Sequence, residues 1–215
     1  MSPHDLHDLE ERLSRPTPAV VDLMRQIPGD FIVLGAAGKM GPSLTRMIKR
    51  ASDDAGTPRR VIAVSRFSTP GSAEEFTAHG IEVIARDLLD ANAVAYLPAA
   101  ANVIYMAGMK FGATGNESLT WAMNAWLPGI VCERYSRSRI VAFSTGNIYG
   151  LTPVENGGSR EEDTPNPAGE YAMSCLGRER IFDHFSRARG TPVSLIRLNY
   201  ACDLRYGVLV DVAQK

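Results

Sequence analysis

Several things are scarce in this 215-residue chain, and each scarcity excludes a class of protein. It has only three cysteines, Cys132, Cys175 and Cys202, far apart and without C-x-x-C spacing. That argues against a disulfide framework and for a reducing compartment. Four histidines, His4, His7, His79 and His184, form no metal-ligand spacing, so no metal site is expected. No apolar run is long enough to span a bilayer. The polar, acidic start MSPHDLHDLEERLSRP does not read as a secretory signal. A cytoplasmic protein with no membrane partner is the expectation. Excess positive charge is also missing: the formal net charge is −1. Lys49–Arg50 and Arg59–Arg60 are short basic pairs suited to solvated helix ends, so no nucleic-acid partner is expected. The remaining composition, 45% hydrophobic and 22% charged, is that of one globular domain with a substantial core.

What is present is an alternation of strand and helix patterns. Strand candidates are Phe31–Leu34, Val61–Val64, Ile81–Ala85, Val103–Met106, Ile140–Phe143 and Val193–Ile196. Helical patterns fall near 40–51, 72–79, 90–95, 117–136, 168–189 and 206–214. Such alternation predicts an α/β fold, a doubly wound (Rossmann) parallel sheet with helices on both faces and strand order 3-2-1-4-5-6. Residues 1–28 read as a helical N-terminal extension, a packing or oligomer-contact arm, ahead of a dinucleotide-binding domain over 29–215. Pro128 is expected to kink or interrupt the 117–136 helix. Trp121, Met123, Trp126, Leu127, Ile130 and Val131 make that helix apolar on more than one side, which suits either an internal core helix or one with a face for a partner subunit.

Ligands of such sheets bind outside the carboxyl ends of the strands, so the loops there are the candidate site. Residues 31–41, FIVLGAAGKMG, run from an apolar strand into Gly35, Gly38 and Gly41. Glycines let a diphosphate approach the backbone, and the following helix offers free N–H groups and a positive dipole end. Ala37, Lys39 and Met40 lie in the same turn, and Pro42 suits the first turn of the helix. The second strand ends in Ser65 and Arg66 with no acidic residue. That tilts the NAD(P) cofactor towards NADP, although Arg66 also suits an exposed surface position. After the third strand, Asp87-Leu88 could meet the adenine, or Asp87 could cap a helix, with Asp90 the stronger cap for the next one. After the fourth, Ala107 and Gly108 let a ligand pass close, Lys110 could reach a phosphate or ribose, and Phe111 could wall the pocket or fill the core. After the fifth, Ser144 and Thr145 are hydroxyls able to hold a substrate oxygen. Tyr171 opens the 168–189 helical pattern, and a phenol can serve as general acid or base.

In order and spacing, these residues resemble the extended short-chain dehydrogenase/reductase family, specifically its NAD(P)-dependent epimerase/dehydratase branch, over about residues 30–200. Gly35-x-x-Gly38-x-x-Gly41 matches the glycine motif and Asp87-Leu88 the adenine-side pair. Val103 to Lys110 resembles the post-strand-four segment of nucleotide-sugar 4-epimerases, and Asn124 the asparagine of the following helix. Phe143–Gly150 places Thr145 at the catalytic Ser/Thr, and Tyr171 falls at the catalytic tyrosine. The resemblance implies proton exchange by Tyr171 with a sugar or nucleotide-sugar hydroxyl or carbonyl, Thr145 holding the same oxygen, hydride transfer by the nicotinamide, and a homodimer. It also implies that the loop carrying Glu161-Glu162-Asp163, otherwise read as solvated, closes over the site. Two departures stand out. The family's Tyr-x-x-x-Lys is here Tyr171-x-x-x-Cys175, so the ammonium that favours a phenolate is missing. Catalysis is then weakened or lost, or Lys110 or Arg178 compensates, or the chemistry does without. Seven positions beyond Tyr171, Arg178 is two helical turns away and a poor replacement on distance. Cys175 itself reads as a small buried residue rather than a nucleophile. The second departure is that the family's substrate lobe lies mostly beyond Arg197-Leu198-Asn199-Tyr200, so that lobe is expected to be absent or truncated.

Overall fold

The computed structural model describes residues 3–110, 112, 114–199 and 201–215; the assignments made to Phe111 and Tyr200 lie outside them. Six strands form one parallel sheet: β1 (Phe31–Leu34), β2 (Val61–Ser65), β3 (Glu82–Ala85), β4 (Asn102–Tyr105), β5 (Arg139–Thr145) and β6 (Val193–Leu198). Their order is β3-β2-β1-β4-β5-β6, as the alternation predicted. In register, Leu34 stands between Val64 and Tyr105, so the loops after β1, β2 and β4 emerge at one edge.

Side chains along β1 alternate between two cores. Ile32 and Leu34 join Tyr105, Leu127, Val131 and Phe182 on one face, while Phe31 and Val33 join Met24, Ile48, Ala51 and Phe76 on the other. This is why β1 reads as an unbroken apolar run: a strand covered on both sides has no solvent face. Each fully buried aliphatic side chain contributes roughly 2 kcal/mol by leaving water. The covering helices include α3 (Gly41–Asp54), α4 (Glu74–Thr77), α5 (Ala91–Ala95), α7 (Leu127–Arg134) and the long α8 (Gly169–Arg189).

Ahead of the sheet come α1 (Leu6–Leu13), capped by Asp5, and α2 (Pro18–Gln26), capped by Thr17 with Pro18 in its first turn. Both pack against α3. Glu11 of α1 pairs with Arg46 and Arg50, and Arg59 donates to the Met24 and Ile27 carbonyls, closing the end of α2.

The helix expected over 117–136 is α6 (Glu117–Trp121), a π-helical turn over Ala122–Trp126, then α7. Pro128 has no N–H to give the Asn124 carbonyl, and its ring would clash there in an α-helix. The ladder widens instead, and Leu127 donates to the Ala122 carbonyl. The turn holds Asn124 fully buried towards the sheet edge. A final short helix, α9 (Val208–Ala213), follows β6.

Candidate functional site

The carboxyl edge of the sheet carries a cleft in two connected parts. One cavity, about 530 Å³, opens over β2 and β3 and is lined by Ala37, Ser65, Arg66, Arg86, Asp87 and Leu88. The other, about 720 Å³, opens over β4 to β6 and is lined by Lys39, Met40, Ser144, Thr145 and Tyr171 among others. Gly35, Gly38, Gly108 and Lys110 line both, and Ala107 lines the first. The loops singled out in the sequence therefore meet in one place, although they lie up to 136 positions apart (Gly35 to Tyr171).

The floor of the cleft is the glycine turn. Gly35 has φ +87°, and a Cβ there would stand 2.7 Å from the Ala107 nitrogen, so the turn tolerates no side chain. At Gly38 an added Cβ would meet only the Gly35 carbonyl oxygen, at 3.4 Å. Packing does not require that glycine; its bareness leaves space over the turn, which fits a diphosphate at the start of α3. Gly41 lines neither cavity. Its Cβ would fall 1.9 Å from the Ala36 oxygen, so this third glycine lets α3 close onto the end of β1. At the far end, Asp87 accepts from the Leu89 nitrogen at 3.0 Å, and Asp90 caps α5 through the nitrogens of Asn92 and Ala93.

In the larger cavity the Tyr171 phenol neighbours the Thr145 hydroxyl and the Cys175 thiol. Burial pushes its pKa up to about 12; neighbouring Cys175 adds to the rise, while Thr145 and the charge of Arg178 pull the other way. At neutral pH the free protein thus holds the phenolic proton. Thr145 also accepts from the Asn147 nitrogen, which fixes its rotamer. Ser144 is turned elsewhere: its hydroxyl donates to Glu179 at 2.5 Å. Glu179, almost wholly buried, is forked by Arg197, which also donates to the Tyr149 hydroxyl and the Glu161 carbonyl. This network ties the loop carrying Glu161 to the end of β6. Cys175 is fully buried and lines neither cavity; burial pushes its thiol upward, so it is inert as a thiolate.

Asn124 also stands behind the cleft rather than in it. It accepts from the Met109 nitrogen (2.9 Å) and Arg178 (2.6 Å), and donates to the Met109 carbonyl and Ser174 (3.0 Å each). Its side chain is saturated within the protein and acts by holding the loop after β4. Arg178 stands beside Asn124 and likewise lines neither cavity. Its guanidinium is buried, donates to the Phe143 carbonyl at 2.9 Å, and lies where a side chain at Gly108 would go. No signal in the sequence pointed to Arg205, Tyr206 or Val208, which line the larger cavity from the segment after β6.

The sequence profile of the NAD dependent epimerase/dehydratase family matches residues 31–201. The chain belongs to that family. Among curated protein sequences none matches it significantly. Similar solved structures include UDP-glucuronic acid 4-epimerase from Bacillus cereus in complex with NAD (17% identity, TM-score 0.65, 79% of this chain and 56% of that one). They also include dTDP-glucose 4,6-dehydratase from Streptomyces venezuelae with NAD bound (20% identity, TM-score 0.69, 78% and 55%). The UDP-Glc/GlcNAc 4-epimerase of Campylobacter jejuni is alike to the same degree (19% identity, TM-score 0.66, 78% and 52%). The chain thus spans about half the length of these proteins, and the likeness is one of fold. Among the described residues, no cluster of metal-ligating side chains occurs and no helix is long and apolar enough to cross a membrane.

Proposed function

We propose that this chain is the cofactor-binding and catalytic part of a cytoplasmic oxidoreductase that acts on a sugar or nucleotide-sugar hydroxyl or carbonyl. The observation that carries the reading is the Tyr171–Thr145 pair, brought together at the wall of a cavity floored by the bare Gly35–Gly38 turn. A nicotinamide dinucleotide, when bound, supplies hydride exchange. The chain's residues do the rest: the glycine turn and the start of α3 seat the diphosphate, Lys110 reaches across both cavities, and Thr145 orients a substrate oxygen. Tyr171 holds a proton at neutral pH and gives it to, or takes it from, that oxygen. The cofactor is NADP in preference to NAD. Arg66 and Arg86 with Ser65, Ser68 and Thr69 line the end of β2 and β3, a set of donors suited to a 2′-phosphate.

The chain acts as a homodimer through the face on which Leu119, Trp121, Trp126 and Met173 are exposed, Trp126 at 56%. Its test is sedimentation of the wild type against Trp126→Glu.

A second reading, a catalytically silent dinucleotide sensor or scaffold, is favoured by one observation: neutral, buried Cys175 stands where the family has lysine. One experiment separates the two. NADPH and NADH are titrated by fluorescence, and hydride transfer is then assayed with a panel of UDP- and dTDP-sugars. Turnover that Tyr171→Phe abolishes supports the oxidoreductase. Binding without turnover supports the sensor, and no binding of either nucleotide defeats both.

A further inference from the structure

Arg178 is the most expensive side chain in the site. Its guanidinium is buried, yet both groups that accept from it, the Asn124 amide oxygen and the Phe143 carbonyl, are neutral. Its Nε is buried without a hydrogen-bond partner. The neighbouring carboxylate, Glu179, is already forked by Arg197. A guanidinium cannot escape by losing its proton. A charge held in this way calls for an anion from its own surroundings.

We propose that Arg178 is the fixed cation of this site, a positioning residue whose charge replaces the ammonium missing at Cys175 and favours the Tyr171 phenolate as it forms. It lies one turn beyond Cys175 on α8, folded over Gly108 towards the end of β5. The groups facing this corner are few. Thr145 of β5 and Cys175 of α8 neighbour the phenol, and Tyr105 of β4, buried and neutral, lies under the guanidinium at 5.8 Å. Lys110 stands on the loop after β4, and the Glu179–Arg197 pair lies beyond. Lys110 is thus the rival cation. Unlike lysine, arginine keeps its charge at every working pH, so Arg178 adds no titration of its own.

The proposal rests on reading Tyr171 as the proton-exchanging group, and its test uses cofactor-free protein so that the two can fail separately. Placing 3,5-difluorotyrosine at position 171 brings the phenol's ionisation into an accessible range, where ¹⁹F NMR follows that single site. Arg178→Gln keeps an amide donor for Asn124 but removes the charge. It is expected to raise the midpoint by about one pH unit, a tenfold loss of phenolate at a given pH. Arg178→Lys is expected to keep the midpoint near that of the parent, and Cys175→Lys added to Arg178→Gln to restore it. An unchanged midpoint in Arg178→Gln overturns the proposal, as does a midpoint that answers to Lys110→Met instead. A fold that survives as Lys but not as Gln supports a need for the charge. Collapse of both variants makes Arg178 a packing residue and overturns it. Should the midpoint move while Tyr171→Phe leaves turnover intact, the electrostatics stand and the reading of Tyr171 as the proton-exchanging group fails.

Discussion

The two halves of the cleft are built differently. Over β2 and β3 the walls are short-range pieces: a glycine turn, the Ser65–Arg66 strand end, the Asp87-Leu88 pair. Few of their side chains bond to distant parts of the chain, and they meet only because parallel strands end at one edge. Over β4 to β6 the site is a web of side chains from far-apart elements: Asn124 with Ser174, Arg178 with Asn124 and Phe143, Ser144 with Glu179, Glu179 with Arg197. The first half is backbone geometry and has the form of a cradle. The second is preorganised polarity, which is what proton transfer needs and what costs most to bury.

If that contrast is right, damage should differ in kind between the halves. The largest effect is expected in the web: Tyr171→Phe lowers turnover about 10²- to 10⁴-fold while cofactor affinity changes little, as read by steady-state rates beside fluorescence titration. Next comes Glu179→Ala, which strands Arg197 and Ser144 and costs about 3 kcal/mol in urea unfolding. Replacing both Glu179 and Arg197 by methionine should recover most of that loss, because the penalty lies in leaving one charge unpaired. In the cradle, Arg66→Ala should weaken NADPH binding about tenfold and leave NADH almost unaffected, with no change in stability. Equal loss for both nucleotides would mean that Arg66 does not meet a 2′-phosphate.

The smallest effect lies outside the cleft, on α1. Burial works to raise the Glu11 carboxyl, but the hydrogen bond from Arg50 and the charges of Arg46 and Arg50 hold it below its ordinary value of 4.5. Its contribution is therefore present above that value and is lost as pH falls through the lower folded pKa. Comparing Tm of the wild type and Glu11→Gln from pH 6 to pH 3 should show a gap of under about 1 kcal/mol that closes at the acid end.

The same contrast explains what could be read from the sequence. Strand order and the cradle were legible because each rests on local rules: apolar runs buried on both faces, glycine at a left-handed turn, proline in a helix's first turn. Even Pro128 announced an interruption, and only its form, a π turn that holds Asn124 inward, needed the structure. The web was half legible. Thr145 and Tyr171 could be placed by residue type at a strand end and a helix start, and the structure brings them to one cavity. That Ser144 donates to Glu179, that Asn124 is saturated behind the cleft, and that Arg178 folds in beside it were not legible. Those facts depend on rotamers and on partners 15 to 54 positions away.

By itself the sequence determined a doubly wound sheet, its strand order, and the place where the loops converge, because period, glycine placement and handed crossovers act over short stretches of chain. Only the tertiary structure decided which polar groups face the cleft and which are spent on one another. A buried donor or acceptor takes whatever partner the packing brings within reach, and no spacing along the chain encodes that choice.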